Sequence, residues 1–378
     1  MGGPAQQVSL LSGRRMDPER FETLLVHGSL PPGDQSMAYM AEREGARTQF
    51  LPELGQQVRP HRDLRALRKL RSVARSFRPH IVHTHTAKAG FIGRQAALTV
   101  RPRPVIVHTY HGHVLEGYFG SLKSGVYRSL ERLMARRSDC LVGVSEATVD
   151  DLVRLGVAPR DRFRVVPLGL DLSAFANLDR EARKEVRGKL GVDDGEVLLT
   201  YVGRVVPIKR LDVLLHGVAR TFQRGAPIRL AVVGDGEIRP SLERLSRELG
   251  IADAVNFLGY RADLAPITAA TDIAVLSSDN EGTPVSLIEA GAAGCPSVAS
   301  AVGGVPEVVT DETGILFPPG DEEALARALA SLAGDPERRT QMGGRARDRC
   351  LGRYSADRLI EEITELYDEL LERPGGPA

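Results

Sequence analysis

Glu281-Gly282-Thr283-Pro284-Val285-Ser286-Leu287-Ile288-Glu289 sets two carboxylates on either side of a glycine turn and the start of an apolar run. Just upstream, Asp272-Ile273-Ala274-Val275-Leu276 reads as a buried strand ending at Ser277 and Ser278, so Glu281 falls in the loop at that strand's carboxyl end. Open α/β sheets bind ligands at that end. Pro284 suits the first turn of a helix, where the amide hydrogen it lacks would be unpaired anyway, and Val285, Leu287, Ile288 and Gly291-Ala292-Ala293 continue it. Glu289 then stands about one turn in. Two acids so placed can grip two hydroxyls of one ligand while free first-turn amides face an anion, which suggests a ligand carrying hydroxyls and phosphate. The plainer reading makes Glu281 a solvated turn residue and Glu289 part of a wet helix face, and this short stretch alone does not choose between them.

The rest of the chain narrows the choice. Its 378 residues exceed one typical core and suggest two large domains. Fifty Lys plus Arg against 49 Asp plus Glu leave no basic excess of the kind a dedicated nucleic-acid binder carries. Cys140, Cys295 and Cys350 are far apart and form no Cys-x-x-Cys pair, which argues against a disulfide framework or zinc ribbon and fits a reducing cytosol. No apolar run reaches the ~20 residues that span a bilayer, and Met1-Gly2-Gly3-Pro4 lacks the features of a signal peptide. The expectation is a cytoplasmic protein, with room for a peripheral contact at the inner membrane face.

Along the chain, short β-branched runs alternate with helical patterns, the signature of parallel sheets. Pro4 to Leu11 reads as a helix, Phe21 to Val26 and Arg47 to Leu51 as strands, and about Pro60 to Phe77 as a long helix with Leu64, Leu67, Leu70, Ala74 and Phe77 on one face. Its other face is basic: Arg59, Arg62, Arg65, Arg68, Lys69, Arg71, Arg75 and Arg78 stand against the single acid Asp63, a density that attracts anionic lipid or phosphate, or simply a solvated Arg-rich face. Lys123, Arg128, Arg132, Arg136 and Arg137 add a second cluster. Strands at Ile81-Val82-His83 and Val105-Ile106-Val107-His108 run into loops that hold five of the nine histidines: His83, His85, His108, His111 and His113. Two His-x-His pairs could bind a metal, but no acid lies in either loop before Glu116 to complete such a site, and a neutral hydrogen-bonding role or strand-end packing fits better. Leu141 to Ser145 and Phe163 to Pro167 close a first domain, residues 1–167, followed by connecting chain over 168–195. The second domain, 196–353, has strands at 197–202, 228–233, 255–258, 273–276 and 297–300, and the chain is helical after Asp321. Gly234-Asp235-Gly236 begins a dinucleotide fingerprint but fails it, because Arg239 stands where the third glycine should be. Two doubly wound domains facing a cleft is the architecture this pattern predicts.

Arg204 and Lys209, at the carboxyl end of the 197–202 strand, fall at the same end of one sheet as Glu281 and Glu289. A diphosphate could bridge the two sets. Two fixed cations can neutralise the charge that develops on a leaving diphosphate, a role magnesium fills elsewhere, and the chain has no Asp-x-Asp to hold such a metal. Cations with sugar-gripping acids and no metal read as glycosyl transfer from a nucleotide diphosphate-sugar, with no further cofactor.

With these motifs the sequence resembles the GT-B fold retaining glycosyltransferases of family 4, over nearly the whole chain: Gly203-Arg204 with Lys209, and Glu281 with Glu289, match the family's two diagnostic motifs at its spacing. The resemblance implies that Arg204 and Lys209 bind donor phosphate, that Glu281 holds the transferred sugar and Glu289 the ribose. It also implies that backbone around Gly282 and Thr283-Pro284-Val285 cradles the distal phosphate. His111 matches the family's histidine near the donor sugar, and Gly2-Gly3 its glycine loop near phosphate and acceptor. The last helix, about 354–371, would return to the first domain. Retention implies a same-face mechanism; a covalent route needs a carboxylate pair about 5 Å apart at the anomeric carbon, and no such pair is evident. Acceptors in glycan, glycolipid or polysaccharide biosynthesis follow, lipid-linked ones included. Two alternatives stay open: a nucleotide-sugar epimerase of the same fold, and a metal-dependent hydrolase built on His83, His85, His111 and His113.

One feature of the order is unusual. The first strand of a doubly wound domain lies centrally and carries the glycine loop, yet only Met1 precedes Gly2-Gly3. The expectation is a late start in the given chain, whose upstream reading frame would supply the strand. The N-terminal sheet should then be interrupted beside the strands near Phe21 to Val26 and Ile81 to His83; a sheet closed across that position would refute it.

Overall fold

The computed structural model describes residues 3–29, 38–55, 57–112, 121–177 and 180–373. The chain forms two compact units: Asp171 to Ser355 make one, and the chain before Asp171 joins the segment after Ser355 in the other.

In the 171–355 unit, strands β7 (Val197–Val202), β8 (Ile228–Val233), β9 (Val255–Gly259), β10 (Ile273–Leu276), β11 (Ser297–Ser300) and β12 (Gly314–Phe317) form one parallel sheet. Its order is β12-β11-β10-β7-β8-β9. Beginning at β7, the chain winds first through β8 and β9 on one side, then crosses to β10, β11 and β12 on the other. The order therefore reverses between β7 and β10, the crevice where doubly wound sheets bind ligands. Helices cover both faces, so β10 and β11 are buried throughout; Ile273-Ala274-Val275-Leu276 is continuously apolar, as two-sided burial favours, and β11 buries Ser297 and Ser300 with Val298 and Ala299. Asp272 ties this centre together: its carboxylate accepts from Arg183 at 2.6 Å, Arg187 at 2.7 Å and the Leu198 amide at 2.7 Å. Arg183 and Arg187 lie on the charged helix Arg180–Lys189, which packs in this unit. Strand β12 is not evident from sequence, since only Ile315, Leu316 and Phe317 separate Gly314 from Pro318-Pro319-Gly320, and three apolar residues are too short a run to signal a strand.

The other unit contains β1 (Leu25–Ser29) paired with β2 (Thr48–Gly55), and a separate parallel sheet of β3 (Ile81–His85), β4 (Val105–Tyr110), β5 (Cys140–Gly143) and β6 (Phe163–Val165) in that order. Among the described residues β1 bonds only β2 and β3 only β4, so the interruption falls between the strands where the sequence places it. The run Phe21 to Val26 pairs only from Leu25. Phe21 instead closes a turn onto the Asp17 carbonyl and packs against Tyr367, with ring centroids 6.1 Å apart. The final helix, Ala356–Glu372, is strongly amphipathic and buries Leu359, Ile363, Leu366 and Tyr367 against Leu10, Leu11, Val105, Val107 and Val142. Arg358 fastens it to the Pro167 and Leu168 carbonyls. Gly3 is buried at the start of the helix Gly3–Ser12, whereas Gly2 and His113 lie outside the described residues.

On the opposite layer, the helix Ala87–Ala97 carries Arg94, whose guanidinium is 1% exposed and donates to both oxygens of Glu131 at 2.9 Å; Glu131 also accepts from the Tyr110 hydroxyl at 2.9 Å. This pair locks β4, the strand that leads into His111, to its covering helices. Glu131→Ala should lower the free energy of unfolding by about 3–5 kcal/mol, because it strands a buried guanidinium. Arg94→Met combined with Glu131→Leu should recover most of the loss in urea denaturation. Equal losses in the single and double variants would show that the ion pair is not the source.

Candidate functional site

β7 and β10 are neighbours in register, Ile273 against Leu199, so the loops at their carboxyl ends emerge side by side. The first loop turns through Pro207–Lys209 and the second runs from Ser277 to Pro284. They are stitched together by the Asp279 amide donating to the Ile208 carbonyl at 2.9 Å and by the buried Ser277 hydroxyl, within 3.0 Å of the Lys209 and Arg210 carbonyls. The result brings Lys209 Nζ to 2.5 Å from Glu281 Oε1, with side chains only 17% and 11% exposed. Ser278 Oγ donates to the same carboxylate oxygen at 2.6 Å. An ion pair so little hydrated contributes little net stability, because desolvation offsets most of the attraction. Its consequence is chemical: a cation and an acid are held together, already stripped of most water, at the point where the sheet's order reverses.

Arg204 completes the cationic set. It is exposed and has no ion-pair partner among the described residues. Its loop is positioned by Tyr201, a fully buried residue that sequence reasoning missed: the phenol donates to the Arg204 carbonyl at 2.9 Å. Burial pushes this hydroxyl's pKa far up, the Glu281 charge raises it further and the Arg204 charge draws it down, so both charged groups act on the same buried oxygen. Gly234, at φ +135, supports the loop from below; a Cβ there would stand 1.8 Å from the Gly203 carbonyl oxygen. The first glycine of the failed fingerprint thus serves close backbone packing, while Arg239 opens the next helix and pairs with Glu243 at 2.8 Å.

The second motif folds nearly as its residues predict. Pro284 is the cap of the helix Val285–Ala292, one residue before its first turn, and the first intrahelical bonds run from Leu287 and Ile288 to the Pro284 carbonyl. The Val285 and Ser286 amides therefore precede the intrahelical ladder and remain available as donors. Gly282 and Glu281 are fixed through their carbonyls, both of which accept from Gly304 N. The Gly303-Gly304 pair after β11 is a second feature sequence reasoning did not single out. The Thr283 hydroxyl is buried without a hydrogen-bond partner, and Glu289 is buried on the helix rather than on a wet face.

In the other unit, His111 directly follows β4. Its Nε2 lies 3.0 Å from His85 Nδ1, while its own Nδ1 is buried and unpartnered. His83 bonds the Tyr367 hydroxyl at 2.6 Å through Nδ1 and Thr109 Oγ1 at 2.7 Å through Nε2, and His108 bonds Thr84 at 2.8 Å. Burial pushes the pKa of His111 down to about 4 and that of His83 to about 3, with His111 lowering the latter further. These are neutral imidazoles. With both ring nitrogens engaged, His83 has no lone pair for a metal, and the histidine constellation imagined for a hydrolase does not assemble among the described residues.

Comparison with known proteins identifies the family. A model described as Glycosyl transferases group 1 matches residues 182–349, and one described as Glycosyltransferase Family 4 matches residues 10–174. The chain is a GT-B glycosyltransferase of group 1. It is 36% identical over 253 residues to D-inositol 3-phosphate glycosyltransferase of Saccharomonospora viridis, covering 64% of this glycosyltransferase but only 58% of that relative's length. An Escherichia coli protein, UDP-Gal:alpha-D-GlcNAc-diphosphoundecaprenol alpha-1,3-galactosyltransferase, is 25% identical over 97% of this chain and 94% of its own. Among solved structures, Anabaena HepE in complex with UDP and glucose matches with a TM-score of 0.82 at 21% identity, over 98% of this chain and 96% of that one. At that identity the likeness concerns the fold.

Two measurements check the geometry. A His83 pKa below its ordinary 6.5 means that the unfolded chain takes up the proton first as pH falls. The stability contributed by the neutral ring is complete above pH 6.5 and is lost as pH drops toward 3. In His83→Gln, which can still bond Tyr367 and Thr109, melting temperature should fall less steeply across this window than in wild type; parallel curves would contradict it. Gly234→Ala should destabilise the protein by more than the ~1 kcal/mol of an ordinary glycine replacement, because backbone must move to admit the methyl. Calorimetry reads the difference.

Proposed function

We propose that this glycosyltransferase moves a sugar from a nucleotide diphosphate-sugar to an acceptor hydroxyl with retention of anomeric configuration and without a metal ion. The observation that carries the reading is the Lys209–Glu281 contact at the ends of β7 and β10, with Arg204, which has no ion-pair partner among the described residues, on the same loop as Lys209. Donor phosphate competes with Glu281 for Lys209, and the displaced carboxylate is then free to accept from the sugar's hydroxyls. Arg204 and Lys209 neutralise the diphosphate as the bond from the anomeric carbon to its oxygen breaks. The acceptor oxygen attacks the same face, and its proton passes to the departing phosphate oxygen. Glu289 takes the ribose hydroxyls, the Gly282 and Thr283-Pro284-Val285 backbone takes the distal phosphate, and neutral His111 offers Nδ1 to the donor sugar. Gly2 and Gly3 are assigned to donor phosphate and acceptor. Removing Arg204 or Lys209 therefore withdraws charge stabilisation felt mainly in the transition state.

Biosynthesis of a glycan, glycolipid or polysaccharide is the setting that the relatives favour. The Escherichia coli relative is named for a UDP-galactose donor and a diphosphoundecaprenol-linked acceptor, which supports a lipid-linked acceptor here and a cytoplasmic enzyme in peripheral contact with the membrane.

Arg204→Ala and Lys209→Ala should each lower kcat on the order of 100-fold or more, whereas Glu289→Ala should chiefly raise the KM for donor, since ribose contacts are alike in ground and transition states. Wild-type turnover in the first two would refute their roles. Incubation of donor alone separates the epimerase reading, which requires a new sugar nucleotide where a transferase gives slow hydrolysis at most.

A further inference from the structure

The helices Pro60–Phe77 and Ser121–Arg137 flank Ala87–Ala97 on one layer of their unit: Ala66 and Leu70 pack with Ile92, and Arg94 reaches Glu131. Their outer surfaces combine two features that ordinary solvated helices keep apart. Val126, Leu130 and Leu133, 56%, 36% and 39% exposed, fall at the i, i+4, i+7 spacing of one helical stripe, and Leu64 is exposed on the companion helix. The same two helices carry exposed Arg65, Arg68, Arg75, Arg136 and Arg137, none with an ion-pair partner among the described residues; the side chain of Lys123 lies outside them. Each helix has a single acid, and both are spent elsewhere. Asp63 pairs with Lys88 at 2.6 Å, and Glu131 is buried against Arg94. Lys69 pairs with Glu53 at 2.5 Å, and the five arginines leave the surface with positive charge that no described acid compensates, beside an aliphatic stripe.

We infer that this face docks on an anionic lipid bilayer, with Val126, Leu130 and Leu133 in the headgroup boundary and the arginines on lipid phosphates. Aliphatic burial plus attraction to anionic lipid is the combination that holds interfacial helices. A second copy of the chain fits poorly, because a two-fold contact would lay arginines against arginines. Single-stranded nucleic acid calls for aromatic platforms, which the stripe lacks. Among the described residues no helix is long and apolar enough to cross a membrane, so the contact is a surface one. The inference rests on the proposed transfer reading only for its purpose, bringing the enzyme to a lipid-linked acceptor.

Sedimentation of the full chain with vesicles tests it, using phosphatidylcholine alone and phosphatidylcholine mixed with phosphatidylglycerol, each at low and high salt. Binding should require the anionic lipid and weaken with salt. Replacing Arg65, Arg68 and Arg75 together by Gln should weaken it on the order of 100-fold, from the roughly fivefold contribution of each cation near such a surface. Val126→Ser with Leu130→Ser and Leu133→Ser should abolish the part that survives high salt. All six positions are exposed, so circular dichroism and donor hydrolysis should be unchanged. Absence of binding at low salt, equal binding to both vesicle types, or a dimer dissolved by the serine variant would each overturn the inference. Failure of the transfer reading shows separately, as no sugar transfer to any acceptor by a protein that still binds vesicles.

Discussion

Parallel pairing of β7 with β10 is the constraint on which the site depends. These strands are distant in sequence and meet because the chain winds outward from β7 in one direction and returns to start again on its other side. Asp272 secures the junction by accepting from the Leu198 amide and from two arginines of a helix that precedes the sheet. One carboxylate joins the amino ends of both strands to that helix. Lys209 and Glu281 are thus delivered to contact distance by the sheet rather than by their own loops. Opposite charges meeting with so little water would be a poor investment in stability. They make sense as a pair that a charged, hydroxylated ligand can take apart.

The histidine-bearing unit uses burial for a different end. Each imidazole at the end of β3 and β4 is kept neutral by removal from water, so hydrogen-bonding direction, not charge, is what they offer. Tyr367 connects the final helix to His83, whose ring stacks on His85, and His85 in turn holds His111. The return of the chain's end to this unit therefore bears on how His111 is held. Arg94, Glu131 and Tyr110 brace the same strand from the other layer. Burial also sorts the arginines: Arg94 is paired inside with Glu131, while Arg65, Arg68, Arg75, Arg136 and Arg137 on the outer helices have no ion-pair partner among the described residues.

The sequence by itself determined the alternation of strand and helix, the two carboxylates at a strand end, the cations at another, and the final amphipathic helix. Each is a local pattern whose period or end signal survives without knowledge of neighbours. The interruption beside β1 was also legible, because strand order in a doubly wound sheet follows from connection rules. What stayed hidden was whatever needed a partner far away in sequence. Strand β12 is too short to declare itself and exists because β11 supplies its ladder. Tyr201 reads as one more apolar strand residue until its hydroxyl is seen to hold the Arg204 carbonyl. Gly234 resembled part of a nucleotide fingerprint and turned out to make room for the neighbouring loop's backbone. The plain reading of Glu289 as a wet residue failed because helix packing, not residue type, sets exposure. The direct contact of Lys209 with Glu281 was decided by tertiary structure alone, since only the lateral order of strands determines which loops become neighbours.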